Sequence, residues 1–176
     1  MERNHKWVID FFHKKTAIEK TLQLKLKISK ALYSIERETR STHVMVVMGH
    51  NGGRPSAVRP FHSTVIEEAR DPRLPGVSEM WQEQVVDSSY IAMLEKVYRE
   101  GNIWNYTEKL PPGILKDLYI KNGIEQSLMI ALHETSQAFY YLSITFKEKV
   151  ALTPQERDTI RREVNNLRHL YRGISP

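Results

Sequence analysis

The N-terminal part of the chain carries small and apolar residues at helical spacing. Residues 16–39 contain no Gly or Pro, and the pattern repeats there at intervals of four and three. The recurring positions are Ala17, Thr21, Leu24, Ile28, Ala31 and Ile35. This heptad-like seam predicts a long helix that packs on another helix. Residues 22–28 also alternate as a strand does, but the length of the stretch and its lack of breakers favour a helix that is apolar on more than one face.

The next stretch predicts two strands with a glycine-rich loop between them. Thr42–Met48 and Phe61–Ala69 are rich in β-branched and apolar residues. The first strand runs into Gly-His-Asn-Gly-Gly-Arg-Pro at residues 49–55, where Asn-Gly and Gly-Gly supply positive φ at little cost. A Pro-rich connection follows at residues 71–76.

The second half of the chain alternates helical and strand periodicities. Helices are predicted for residues 88–99, where Ile91, Leu94, Val97 and Tyr98 share a helical spacing, and for residues 112–121, which an Asn-Gly pair closes. A short strand is predicted for residues 102–106. Residues 127–133 and 138–147 alternate apolar and polar positions on either side of a short polar connection, and this pattern predicts a hairpin.

The C-terminal helix has the clearest start signal in the chain. Thr153 stands at the N-cap, Pro154 at the first helical position and Glu156 where a capping box requires it. One stripe follows, formed by Ile160, Val164, Leu167 and Tyr171. Gly173 marks the end of the predicted helix.

Composition and charge narrow the class of protein. With 176 residues, 40% hydrophobic and 27% charged, the chain suits one folded domain. It has no cysteine, so disulfides, thiolate metal sites and thiol nucleophiles are excluded, and a reducing, cytoplasmic setting is expected. The net charge of +5 permits contact with nucleic acid, acidic lipid or an anionic small molecule. No apolar run approaches the roughly 20 residues of a membrane span.

The order of the predicted elements resembles that of a GAF domain from about Lys15 to Tyr171. Residues 118–128 are similar to the family's helix, glycine turn and entry into the penultimate strand. Residues 139–146 are similar to its last strand, and residues 152–156 to the lead into its closing helix. His-Asn-Gly-Gly at residues 50–53 also resembles a GAF-like group in bacterial and phage proteins.

The resemblance implies an α+β fold in which a central antiparallel sheet has the long N-terminal and C-terminal helices packed on one face. It also implies a small-molecule site between the other sheet face and a cover of loops and short helices, and a homodimer through the terminal helices. On this basis one domain spans residues 16–173, with a dimerisation helix over 16–41 and a basic, aromatic extension over 1–15. The chain lacks the cysteine of bilin-binding members and of free methionine sulfoxide reductases, and the Asn-Lys…Phe…Asp-Glu motif of cyclic-nucleotide binders.

The glycine-rich loop is the leading candidate for a ligand site. His50, Asn51 and Arg54 carry groups that bind polar or anionic ligands, and Gly52 allows the backbone to approach closely. Glu67 on the second strand is a candidate to accept a ligand donor or to pair with His50 or Arg54. Tyr141 is a candidate to line the pocket. The competing interpretations are a capped turn, a surface charge and ordinary sheet packing.

Motifs for catalysis and for metal or cofactor binding are missing from the sequence. The seven histidines show no zinc-motif spacing, and there is neither a Gly-x-Ser-x-Gly elbow nor a phosphate-binding loop. We therefore expect no metal, no cofactor and no enzymatic activity. Two functions remain open: a homodimeric domain that binds an unknown small molecule, or an interaction module that binds protein, a membrane surface or nucleic acid through the basic N-terminal helix.

Overall fold

A computed structural model describes residues 2–51 and 60–173, and side chains from residue 17 onwards within those ranges. The elements are α1 Glu2–Thr39, β1 His43–His50, β2 His62–Arg70, β3 Gln84–Val85, α2 Ser88–Glu100, β4 Asn102–Tyr106, a 3-10 turn Thr107–Lys109, α3 Ile114–Lys121, β5 Gln126–Glu134, β6 Ala138–Phe146 and α4 Pro154–Arg172. The strands form one antiparallel sheet in the order β3-β2-β1-β6-β5-β4. The predicted α+β class is confirmed.

Helix α1 confirms the helical interpretation of residues 16–39 and begins earlier, at Glu2. The extension predicted for residues 1–15 is therefore continuous with the helix from Glu2 onwards. Along the predicted seam, Ile28, Ala31 and Ile35 are buried, whereas Ala17 and Thr21 are exposed. Only the C-terminal part of the seam packs on the domain. The helix ends at Thr39, because Arg40 adopts a left-handed φ of 56°.

Helix α4 packs beside α1 on the same face of the sheet. Its capping box is present: the Thr153 hydroxyl accepts from the Glu156 amide at 3.2 Å, and the Glu156 carboxylate accepts from the Thr153 amide at 2.6 Å. That backbone donor lowers the pKa of Glu156. The predicted stripe from Ile160 to Tyr171 is buried. The Ser34 hydroxyl donates to Glu163 at 3.2 Å and ties the two helices together.

The strands divide their side chains between two cores because successive residues point to opposite faces. The face under α1 and α4, here called the helix face, carries Val44, Leu142 and Ile144. The opposite face, here called the roof face, is covered by α2, α3 and the connection between β2 and β3, and it carries Val47, Met129 and Tyr141. The predicted alternation of the β5–β6 hairpin is confirmed.

Three local predictions need correction. Strand β1 continues through Gly49 to His50, where a loop was predicted. Gly49 pairs with Ser63 in the strand, and glycine suits this position because a Cβ there would stand 2.8 Å from the Phe61 ring. Strand β3 was not predicted, and with two residues it is too short to show a period. In α2 the buried residues are Tyr90, Met93, Leu94 and Val97. Ile91 and Tyr98 are exposed, so their predicted place in the stripe is wrong.

Candidate ligand site

The roof over the second sheet face is fixed by one carboxylate. Asp87 accepts from the amide of Tyr90 at 2.9 Å and from the amide of Ile114 at 2.8 Å, so it binds the first turns of both α2 and α3. The Ser89 hydroxyl donates to it at 2.6 Å. These donors, led by Ser89, lower the pKa of Asp87. Gly113, with φ of 154°, leaves room for this contact, because a Cβ there would lie 2.5 Å from Asp87 Oδ2.

Four aromatic and hydroxyl side chains form a buried polar chain beneath the roof. Trp81 Nε1 donates to Ser63 Oγ at 3.0 Å, and that hydroxyl lies 3.4 Å from the hydroxyl of Tyr141. Tyr141 in turn bonds the hydroxyl of Tyr90 from α2. Burial raises the pKa of both Tyr90 and Tyr141, so both stay protonated at neutral pH. The chain links strands β2 and β6 to the roof.

A second polar contact joins α3 to strand β5. The Tyr119 hydroxyl donates to Ser127 Oγ at 2.7 Å, and burial raises the pKa of Tyr119. Asn105 on β4 donates to the same serine oxygen at 3.4 Å. All three side chains are buried. The roof is thus held by hydrogen bonds at both ends as well as by apolar packing.

The space between the roof and the sheet is small. A cavity of about 20 Å³ remains there. Its lining comprises Met45, Val47, Val65, Val77, Trp81, Tyr90, Leu115, Leu118, Tyr119, Met129, Tyr141 and Ser143. That volume is enough for one water molecule, whereas pockets for small ligands measure roughly 300–1,000 Å³. In this structure, apolar and aromatic side chains fill the space between the roof and the sheet.

A buried histidine–glutamate pair closes one side of the roof face. The Glu68 carboxylate accepts from the amides of Val77 and Ser78 at 2.9 and 3.0 Å. His43 Nε2 lies 3.1 Å from the carbonyl of Pro75 and 3.9 Å from Glu68 Oε1. Since a carbonyl only accepts, Nε2 carries a proton, and the buried Nδ1 has no partner among the described residues.

The structure separates the site residues predicted from the sequence. Tyr141 lies at the centre of the roof face, fully buried. By strand alternation His50 lies on the other face at the end of β1, where it stacks on His62 at 5.7 Å and places Nε2 3.3 Å from Thr64 Oγ1 and 3.4 Å from Glu83 Oε1. The amide oxygen of Asn51 is buried and has no partner among the described residues. Gly52 and Arg54 lie outside the described residues.

Glu67 also lies apart from Tyr141. It pairs with Val46, which points into the core of the helix face, so the Glu67 side chain belongs to that face. There it lines an open cleft of about 510 Å³ with Tyr33, Arg70 and others. Within the described ranges, no three His, Asp or Glu side chains are grouped as a metal site would need. No helix there is long and apolar enough to cross a membrane.

Most of the roof residues were not predicted from the sequence. Tyr90 and Tyr119 belong to the helical stripes of α2 and α3, and such a stripe predicts burial without showing that a hydroxyl finds a partner. Ser63 and Trp81 form a hydrogen bond although they stand 18 positions apart in the sequence, so no local pattern predicts it. The sequence does show aromatic residues and serines on alternating strands. This combination is too common in proteins to identify a site.

Comparison with known proteins supports the fold. No family model matches the chain, and no curated protein matches it. Among solved structures, the phycocyanobilin-bound GAF domain of a cyanobacterial phytochrome is 13% identical, with a TM-score of 0.61 over 89% of this chain and 88% of that one. A far-red cyanobacteriochrome photoreceptor is 11% identical, with a TM-score of 0.60 over 98% of both chains. The third GAF domain of Slr1393 from Synechocystis sp. PCC6803, in its photoproduct state, is 13% identical, with a TM-score of 0.61 over 85% and 94%.

These similarities extend over almost the whole chain and concern one class of domain. The protein is a GAF-like domain by fold, as the order of elements in the sequence indicated. The further likeness of the His-Asn-Gly loop to a bacterial and phage group stays a prediction.

Proposed function

We propose that this GAF-like domain is a homodimeric interaction module in which the space under the roof serves as core. The observation that carries this proposal is a stripe of apolar residues on the outer side of α1. Ile18, Leu22 and Leu26 are 60%, 56% and 61% exposed at spacings of four residues. The opposite side of the same helix is buried against the domain from Ile28 to Thr39.

The packed roof face supports a role other than binding a large chromophore. The first neighbour named above holds phycocyanobilin, which needs far more room than the cavity of about 20 Å³ found here. The chain has no cysteine to attach a bilin. Opening the roof for such a ligand would break the hydrogen bonds of Asp87, Tyr90 and Tyr119 together. These hydrogen bonds therefore stabilise the closed form of the roof face.

A second copy of the chain is the occupant we propose for the outer stripe of α1. A two-fold axis brings one apolar patch against the same patch of its partner, so a single stripe suffices for both subunits. Lys20, Lys25, Lys27 and Lys30 lie along the helix. Their repulsion between subunits weakens as salt screens it, so the dimer is expected to strengthen with salt. Binding of nucleic acid through the same lysines is expected to weaken with salt.

The test is the mass of the full chain by sedimentation equilibrium at low and high salt. Wild-type protein is expected to form a dimer, and Leu22→Glu combined with Leu26→Glu is expected to be a folded monomer. Ile120→Glu is the matched control, because Ile120 on α3 is equally exposed, at 61%, and lies away from α1. A wild-type monomer at every concentration, or a dimer that survives the double variant, would refute the proposal.

Sensing of a small polar molecule is the second candidate function. It is favoured by the Asn51 amide oxygen just beyond the end of β1, a buried acceptor with no partner among the described residues, which a ligand donor would satisfy. On this proposal His50 and Asn51 bind the ligand at the end of β1 together with Gly52 and Arg54, which lie outside the described residues. Glu67 and Tyr141 lie on opposite faces of the sheet and are not part of this loop site.

A thermal-shift screen with nucleotides and small metabolites tests this second candidate. A ligand that binds at the loop is expected to raise the melting temperature of the wild type and to lose that effect in His50→Ala. His169→Ala on α4 is a control histidine, exposed and remote from β1. An equal shift in wild type and His50→Ala, or no shift with any compound, would count against a site at this loop.

A further inference from the structure

A groove runs between α4 and the edge strand β4 on the helix face of the sheet. Its volume is about 520 Å³, in contrast to the closed cavity under the roof. Apolar residues dominate its floor and ends: Trp104, Leu128, Ile130, Val150, Leu152, Ile160 and Val164. Trp104 is 37% exposed and stacks on Phe146 with ring centres 6.1 Å apart, so it offers a fixed flat surface.

The backbone of β4 has a free edge beside this groove. The sheet order ends at β4, so one side of the strand has no neighbouring strand among the described residues. The Ala131 amide donates to the Gly101 carbonyl at 2.8 Å, and the Thr107 amide donates to the Glu125 carbonyl at 3.0 Å. Alternation of an antiparallel ladder then directs Ile103 and Asn105 towards β5 as well. The backbone groups of the residues between them point outwards.

The same alternate residues turn their side chains into the groove. Asn102, Trp104 and Tyr106 all line it. The Tyr106 carbonyl accepts from Leu110 at 3.1 Å, which leaves the Tyr106 amide and both backbone groups of Asn102 and Trp104 for a further strand. An extended chain bound here would gain main-chain hydrogen bonds and place every second side chain against the apolar floor. Peptides add to sheet edges in this way in several binding domains.

Arginines line the α4 wall of the groove. Arg157, Arg161 and Arg168 span eleven positions along the helix, or about 16 Å. Arg168 donates to the Ala131 carbonyl at 2.7 Å and 3.1 Å, and Arg161 pairs with Asp158 at 2.9 Å. Within residues 17–51 and 60–173, Arg157 has no carboxylate within ion-pair distance. The wall therefore favours carboxylates on whatever lies in the groove.

We propose that this groove binds an extended acidic segment of a partner protein, which adds to the sheet as a seventh strand along β4. Its alternate apolar side chains lie between Trp104 and Val164, and its carboxylates meet Arg157 and Arg161. A peptide fits better than a fatty acid, because a lipid would leave the outward amides of Trp104 and Tyr106 to water. The proposal does not depend on the α1 dimer, since α1 contributes no residue to this groove.

The test uses short random peptides displayed on phage and selected against the full chain. Enriched peptides are expected to alternate apolar and acidic residues, and a synthetic copy is expected to bind in solution. Amide hydrogen exchange is expected to slow at Asn102, Trp104 and Tyr106 when that peptide is added, because each of these amides then gains an acceptor. Protection confined to another surface, or a selection without acidic alternating peptides, would overturn the proposal.

Charge reversal gives the decisive comparison. Arg157→Glu with Arg161→Glu is expected to weaken binding of the selected peptide by about tenfold or more. Both side chains are exposed and lie outside the buried stripe of α4, so the variant is expected to fold. Lys96→Glu with Arg99→Glu on α2 is the control with the same change of net charge, because both side chains are exposed and neither lines the groove, and it is expected to leave binding unchanged.

Two further outcomes would contradict the assignment. Equal loss of affinity in the control and in the double reversal would mean that only the net charge of the domain matters. Sodium oleate that occupies the groove and displaces the peptide, without slowing exchange at the β4 amides, would indicate a lipid site. If the double reversal lowers the melting temperature of the domain, Arg157→Gln alone replaces it in the test. This single variant is expected to weaken peptide binding by a smaller factor.

Discussion

The two faces of the sheet are stabilised by different chemistry. The helix face is closed by α1 and α4, whose apolar stripes meet Val44, Leu142 and Ile144. The roof face is closed by α2 and α3 and contains Tyr90, Tyr119 and Tyr141 with their serine partners. Apolar packing depends on volume and tolerates local rearrangement, whereas a buried hydroxyl network depends on each partner being present. The two faces should therefore respond differently to the same kind of substitution.

The largest effect is expected from truncation in the helix face. Leu167 is fully buried between α4 and the sheet, and Leu167→Ala is expected to lower the free energy of unfolding by about 2–5 kcal/mol through lost burial and a residual cavity. Urea denaturation, monitored by circular dichroism, measures this change in the free energy of unfolding. Leu22→Ala is the control, because Leu22 on α1 is 56% exposed and its replacement is expected to change stability by less than about 0.5 kcal/mol in the monomeric state. Equal effects at both sites would show that α4 is not part of the core.

The next effect concerns the roof. Gly113 has a φ of 154°, and a Cβ there would stand 2.5 Å from Asp87 Oδ2. Gly113→Ala is expected to cost about 1–3 kcal/mol, because that backbone region is almost restricted to glycine and the capping carboxylate must move. Gly101, with φ of 80° and nothing within 4 Å of its Cβ, is the comparison. Gly101→Ala is expected to cost less, because a Cβ at that position meets no neighbouring atom. A smaller loss at Gly113 than at Gly101 would contradict the role given to Asp87.

Alkaline pH is expected to loosen the roof face. Burial raises the pKa of Tyr90 and Tyr141 above the usual 10.0, so these groups hold protons that the unfolded chain releases. The stability they provide is complete below pH 10 and falls as the pH rises further, by about 1.4 kcal/mol per pH unit for each group. Urea denaturation at a series of pH values above 10 measures the loss of stability, and tyrosinate absorbance measures the ionisation of the tyrosines. Tyr90→Phe is expected to make the slope shallower, whereas Tyr106→Phe on β4 serves as the control.

The sequence predicted the helix face well and the roof face poorly, for physical reasons. Helix α4 was predictable because its cap, its proline and its stripe are local signals within 20 residues. Strand alternation likewise assigned Leu142 and Tyr141 to opposite faces. By contrast, the bond between Trp81 and Ser63 and the double cap at Asp87 join residues far apart in sequence, and no periodicity encodes them. Glu67 and Tyr141 were each predicted as site residues from their places on strands, and strand membership alone does not determine the face.

The sharpest comparison makes one substitution on both faces. Tyr141 and Tyr171 are both buried, but the Tyr141 hydroxyl bonds Tyr90, whereas the Tyr171 hydroxyl has no partner among the described residues. Removing a bonded hydroxyl leaves its partner unsatisfied, so Tyr141→Phe is expected to destabilise the domain by about 1 kcal/mol. Removing an unpartnered hydroxyl relieves a desolvation cost, so Tyr171→Phe is expected to be neutral or stabilising by up to about 1 kcal/mol. Urea denaturation of the two variants at neutral pH decides between them.

Because the ring of Tyr171 still packs on Tyr140, with centres 4.9 Å apart, the change removes only an oxygen atom. A loss at Tyr171 as large as that at Tyr141 would show that the helix face also depends on a polar contact, and the difference between the faces would then be one of degree.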